Sequence, residues 1–194
     1  MTHSNALLVY FIAYFCLGFL WRSWRVWRLT RFNPLVLPKR DDAHGYVGRA
    51  FKAVLLGLGM YLAALNLWGT EPFGVAEVPP ALVWLGWGFL LLALGTTCWA
   101  QRDLGTSWRI GIDEGSKPAL VQHGIYAHSR NPIFLAMRIA LLGLLAVSPC
   151  AISLALALVG EVLMQIQVRL EEAFLAQGLG ELYASYCARV PRWL

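Results

Sequence analysis

What most constrains this chain is a succession of apolar stretches, each near the length a bilayer demands. A helix needs about 20 apolar residues to cross the hydrocarbon core. Stretches of this kind occupy 6–24, 50–68, 81–100, 133–148 and 150–168. Lipid offers no partner to an exposed backbone amide, so these segments are expected as helices. The expected fold is an all-α membrane protein with about five transmembrane helices. The last two stretches are short and meet at Ser148-Pro149. Proline breaks a helix there, so the pair reads as a tight helical hairpin. Only 14% of the residues are charged, against about 25% in a soluble domain. The whole of 1–194 therefore reads as one integral-membrane domain. Residues 1–100 carry three spans, and 101–194 carry a polar loop, the hairpin and a tail.

Charge sets the expected orientation. Arg22, Arg25, Arg28, Arg31, Lys39, Arg40, Arg49 and Lys52 follow the first stretch. Arg102, Arg109, Lys117 and Arg130 lie in the loop 101–132, and Arg169, Arg189 and Arg192 lie at the end. The loop 69–80 has no Lys or Arg and holds Glu71 and Glu77. With five spans, every Lys and Arg except Arg138 falls on one side, which the positive-inside bias makes cytosolic. The N-terminus is then outside and the C-terminus inside, in the inner membrane if the source is bacterial. The first stretch lacks a basic n-region and a cleavage site, so it reads as a retained span.

"WRSWRVWRLTR", residues 21–31, directly follows a span. Interfacial Trp and Arg reaching lipid phosphates account for it, and no nucleic-acid partner is expected. Cys16, Cys98, Cys150 and Cys187 are scattered without a CxxC or a His/Cys cluster. Neither a metal site nor a disulfide framework is expected.

Three polar residues interrupt the hairpin. Arg138 lies in the fourth stretch; Glu161 and Gln165 lie in the fifth. Ionisable groups inside a membrane face a partner or a watery cavity. Counting from Pro149 at about 1.5 Å per residue puts Arg138 and Glu161 at nearly the same depth, so they are expected to pair. They either fix the hairpin or line a substrate cavity with Gln165. Glu161, Gln165, Arg169 and Glu172 form one helical stripe. The same count sets Arg130 and Asn131 opposite Arg169 to Glu172.

That mouth includes "HGIYAHSRNPIF", residues 123–134. Asn131 and Pro132 suit a helix start. A helix start beside an Arg also suits an anion. Gly124 permits a turn or a close approach, and Tyr126 adds a ring and a hydroxyl. With the acidic pair Glu171 and Glu172, the group suits a small zwitterion carrying a carboxylate and an ammonium.

"LVQHGIYAHSRNPIF" together with "RLEEAFLAQGLGELYASYCARVPRWL" resembles the isoprenylcysteine carboxyl methyltransferase and phospholipid methyltransferase group of integral-membrane enzymes. The likeness runs from about residue 103 to 194. It implies S-adenosylmethionine bound at the cytosolic face and a lipophilic substrate drawn from the bilayer. Carried over by motif, the cofactor residues are Val121, Gly124, Ile125, Tyr126, Arg130, Asn131, Pro132, Glu171 and Glu172. Asn131 stands where the eukaryotic enzymes have His, and an amide does not titrate near neutrality. The aromatic that follows is Phe134, with no Tyr.

On this reading Glu171 or Glu172 takes the cofactor ammonium, and Arg130 with the helix start takes its carboxylate. Arg138, Glu161 and Gln165 mark the acceptor cavity. Arg130, Arg138 and Glu172 are the catalytic candidates. A carboxylate acceptor needs a cation and alignment, whereas an amine needs a base such as Glu161 or Glu172. Carboxyl methylation of an isoprenylcysteine-like substrate is favoured, with a phospholipid or small amine as the alternative. Trp108 and Arg109, in 103–113, are candidates to cover the site; Tyr183, Tyr186 and Arg192 are candidates to close it. Readings of another class are an NADPH-dependent lipid reductase, for which the spans are few, and a non-catalytic scaffold, for which the polar stripe has no purpose.

Overall fold

The computed structural model describes residues 3–31, 42–108 and 120–194, all of them helical or irregular, with no strand among them. Four helices are long and apolar enough to cross a membrane: α1 (His3–Thr30), α2 (Ala43–Trp68), α3 (Pro80–Leu104, extended to Ser107 by a 3₁₀ turn) and α5 (Ala151–Leu179). The apolar α4 (Pro132–Val147) is shorter. A final short helix, α6 (Glu181–Arg189), follows α5. The all-helical membrane architecture expected from the apolar stretches is the one observed; α4 is short, as expected, but α5 runs on past residue 168 to Leu179.

Helix α4 packs chiefly along α3, and two glycines make the contact. A Cβ on Gly143 would lie 2.8 Å from the Gly86 carbonyl oxygen, and one on Gly86 would lie 2.7 Å from Val147. Small residues let membrane helices approach where no hydrophobic drive separates protein from lipid. Gly143→Leu is therefore expected to destabilise the fold by about 1–3 kcal/mol, read as a lowered thermal midpoint in detergent.

The hairpin turn is built from hydroxyls and a thiol. Cys150 caps α5: its Sγ accepts from the Ser153 amide at 3.4 Å, while the Cys150 amide donates to Ser153 Oγ at 3.0 Å. Ser153 Oγ also donates to the Ser148 carbonyl at 2.6 Å, and the Tyr61 hydroxyl lies 2.7 Å from Ser148 Oγ. Backbone groups freed by Pro149 are thus met inside the protein. The Pro149 carbonyl accepts from the Ala76 amide, tying the turn to the loop before α3.

Helix α1 is not regular. Cys16–Trp21 form a π-helical turn. Such a turn widens the helix and misaligns its hydrogen bonds, and Gln101 of α3 donates to the Gly18 carbonyl. Tyr10 donates to the Leu90 carbonyl at 2.8 Å, and the Tyr14 hydroxyl pairs with Thr97 at 2.7 Å. Three polar side chains thereby fasten α1 to α3. Arg22 also donates to the Gly105 carbonyl, and the Ile125 amide donates to Asp103 at 2.9 Å. These contacts gather the C-terminal ends of α1 and α3 and the start of α4 at one end of the bundle.

Candidate functional site

At that end, the chain enters α4 through a 3₁₀ turn, Gly124–Ala127. Gly124 has φ +60°, and a Cβ there would sit 2.0 Å from Asp103 Oδ2. Only glycine lets the backbone lie so close to the carboxylate that holds the Ile125 amide. Tyr126 is buried, and its carbonyl accepts from the Tyr186 hydroxyl at 2.7 Å. Burial and the nearby Glu171 charge push the Tyr126 phenol well above its usual pKa, and burial pushes Tyr186 up to about 12. Both remain neutral donors at any physiological pH. Val121 is half-buried beside this turn.

Asn131 stands at the N-cap and Pro132 opens the helix, but the Asn131 side chain does not cap it. It donates instead to Glu172 Oε1 at 3.1 Å and to the Arg192 carbonyl at 3.3 Å. Glu172 is the hub. Arg130 Nη2 approaches Oε1 at 3.2 Å; Arg192 Nη2 donates to Oε2 at 2.7 Å, and its Nε reaches both oxygens at 3.1 and 3.0 Å. Hydrogen bonding to that carboxylate holds the Arg192 guanidinium above its ordinary pKa. Two guanidinium groups share one carboxylate, so the cluster retains a positive charge.

The residues 190–194 lie across this cluster as a strap. The Arg130 amide donates to the Pro191 carbonyl at 3.0 Å, and Ser129 Oγ donates to the Arg192 carbonyl at 3.4 Å. Beyond it, Trp193 lies under Arg138, whose guanidinium carbon is 4.5 Å from the ring centroid. Tyr183 and Tyr186 are buried behind the strap with Val190.

Arg138 Nε donates to Glu161 Oε2 at 2.7 Å, the pairing expected from the residue count. Gln165 donates to the other Glu161 oxygen at 2.8 Å, and Arg169 donates to Gln165 Oε1 at 2.7 Å. A hydrogen-bonded ladder thus runs along α5 from within the membrane span towards the mouth. Arg130 and Glu172 also meet as counted. Glu171 is separate from the hub. It accepts from Gln167 at 2.8 Å, and no cation pairs with it among the described residues. Arg109 lies outside the described residues; Trp108 is buried against Phe19.

An apolar cavity of about 100 Å³ lies between α1, α2, α4 and α5. Its wall includes Met137, Gly160 and Met164, each one residue before Arg138, Glu161 or Gln165 and turned about 100° from it. Sequence reasoning passed over Asp103 and Trp193. Asp103 carried a signal, an acid in the polar stretch just past a span; Trp193 carried none beyond its place beside Arg192.

A family model described as phospholipid methyltransferase matches residues 81–181. A methanethiol S-methyltransferase from a Pseudomonas species is 32% identical over 128 residues, which cover 63% of this chain and 47% of that protein. The chain thus spans about half the length of this curated relative. The family match takes in more than half of the chain, from α3 through α4 and α5, with the 121–132 turn and both glutamates. This integral-membrane chain belongs to the phospholipid methyltransferase family.

Proposed function

We propose that this protein transfers a methyl group from S-adenosylmethionine to a lipophilic acceptor at the membrane, with the polar mouth on the cytosolic side and the N-terminus outside. The observation that carries the reading is the division of labour between the two adjacent glutamates. Glu172 is saturated by Arg130, Arg192 and Asn131, whereas Glu171 accepts only from Gln167 among the described residues. Glu171 is thereby the carboxylate available to an ammonium. Arg130 has a buried Nε without a partner, a donor suited to a carboxylate. The chemistry of this donor set fits an amino-acid zwitterion, and the Tyr126 turn beside it gives a nucleoside a ring and backbone groups.

Bound there, S-adenosylmethionine supplies an electrophilic methyl group on a sulfonium. Glu171 and Arg130 hold the two ends of the amino-acid moiety, and the 121–126 turn holds the remainder. Alignment of donor and acceptor is then the main contribution of the chain, worth up to about 7–11 kcal/mol in well-oriented systems. The strap over Glu172 excludes water from one flank.

For the acceptor, the geometry favours an uncharged group with a short apolar part. Arg138 already has Glu161 on its Nε and Trp193 on its face, so its charge is offset before any acceptor arrives. The cavity between α1, α2, α4 and α5 is carbon-lined and suits the apolar part of an acceptor. A small lipophilic thiol suits both features and agrees with the name of the methanethiol S-methyltransferase relative. An isoprenylcysteine-like carboxylate, favoured by the sequence motifs, is the second reading, followed by a phospholipid amine.

The test is binding and turnover in detergent. Purified protein is expected to bind S-adenosylhomocysteine and not NADPH. With labelled donor, it is expected to methylate a short alkyl thiol faster than a farnesylcysteine carboxylate. Binding of NADPH alone would point to a reductase, and binding of neither to a scaffold.

A further inference from the structure

Among the described residues, three buried polar atoms at the Arg-rich end of α1 have no hydrogen-bond partner: Arg22 Nε, Ser23 Oγ and Trp108 Nε1. None of them is bonded to a residue proposed above to hold the cofactor. Each unmet buried donor carries a desolvation cost that native proteins rarely leave standing. Ser23 is 8% exposed and Trp108 5%.

Phe19 and Arg22 tie this stretch of α1 to the Gly105–Trp108 segment, and Ser23 follows Arg22. Phe19, Arg22 and Ser23 fall at i, i+3 and i+4, so they share a face of α1. The Phe19 ring meets the Trp108 ring edge-on at 6.3 Å, and Arg22 Nη2 bonds the Gly105 carbonyl three residues before Trp108. The π-helical turn Cys16–Trp21 lies immediately before Arg22, and such turns recur at functional sites. The nearest acid on α3, Asp103, is turned to the Ile125 amide.

The chemistry of the partner follows. An indole N–H and a guanidinium N–H donate and never accept. A hydroxyl donates or accepts. The missing group must therefore present acceptors, and the fixed charge of Arg22 makes an anion the match. The neighbouring side chains set its level. Trp21, Trp24 and Trp27 are exposed around the same turn, and Arg28 stacks on Trp24 at 5.3 Å. Exposed Trp and Arg in this arrangement mark the headgroup layer. We infer that Arg22, Ser23 and Trp108 form a binding site for the phosphate of a bilayer phospholipid, apart from the proposed methyl-transfer site.

Trp108→Phe tests this with little disturbance, because it keeps a ring against Phe19 and removes only the donor. The full chain in detergent is titrated with short-chain phosphatidylglycerol, with the matched diacylglycerol and with inorganic phosphate. Thermal midpoint and native mass spectrometry are read for wild type, Trp108→Phe and Ser23→Ala. Without lipid, Trp108→Phe is expected to melt with wild type. Phosphatidylglycerol is expected to raise the wild-type midpoint and remain bound; diacylglycerol is expected to do neither. Apparent affinity is expected to fall roughly fivefold or more in each variant. Equal protection by diacylglycerol, or undiminished protection in both variants, overturns the site. Protection by inorganic phosphate matching that by lipid, and lost in the variants, overturns the lipid assignment and leaves a soluble anion.

Discussion

Glu172→Ala is expected to release the strap and lower stability by about 2–4 kcal/mol. Removing one partner of a buried ion pair costs about 3–5 kcal/mol, because the other charge is left uncompensated. Here two guanidinium groups lose their shared carboxylate. Arg130 and Glu172 are well enclosed, with side chains 13% and 12% exposed, but Arg192 is 34% exposed. Solvent screening at Arg192 brings the expectation below the full range. A lowered thermal midpoint in detergent and faster trypsin cleavage near Arg189 are the readouts. Glu171→Gln is expected to behave differently. It should melt with wild type, since Glu171 has only Gln167 to lose, and should bind S-adenosylhomocysteine about 10–100-fold more weakly. Unchanged affinity in Glu171→Gln would remove the proposed ammonium site without touching the strap.

Glu161→Leu is expected to cost about 2–3 kcal/mol, by leaving Arg138 unpaired in a pair whose side chains are 30% and 35% exposed. Arg138→Leu is expected to cost less, because the remaining Glu161 still accepts from Gln165. Pairing leucines at both positions should recover most of the stability, since apolar pairs often match or exceed a buried ion pair. The coupling is read from the double-mutant cycle in detergent melts. Methyl transfer separates structure from function: a stable double variant with wild-type turnover would make the pair a hairpin fastener and nothing more. Turnover lost while stability returns would place the pair at the acceptor.

The helices, the hairpin and two of its polar pairings were legible in the sequence because they depend on length and depth. Arg138 and Glu161 meet because a turn at Pro149 sets both at one level, and Arg130 meets Glu172 for the same reason. Rules of local chemistry served less well at Asn131. Its position as N-cap is as expected, yet its Nδ2 donates across to Glu172 and the strap, and its side chain caps nothing in α4. Sequence reading grouped Glu171 and Glu172 as one acidic pair. Successive residues on a helix point about 100° apart, so they meet different surroundings. Which of them met the arginines depended on where residues 190–194 ran, and no periodicity encodes that path. Trp193 beneath Arg138 is a tertiary contact of the same kind. Asp103 was missed because its role is to accept one amide from a turn more than twenty positions away.

The wide turn at Cys16–Trp21 has a consequence for how this helix tolerates change in length. A π turn accommodates one residue more than regular pitch would hold. Deleting a single residue there would let the helix relax to an ordinary spiral with little loss of reach across the bilayer. The residues beyond would keep their facing, so Arg22 would still meet the Gly105 carbonyl. The irregularity thus works as a spare residue, one that the first span can lose without re-aiming the side chains beyond it.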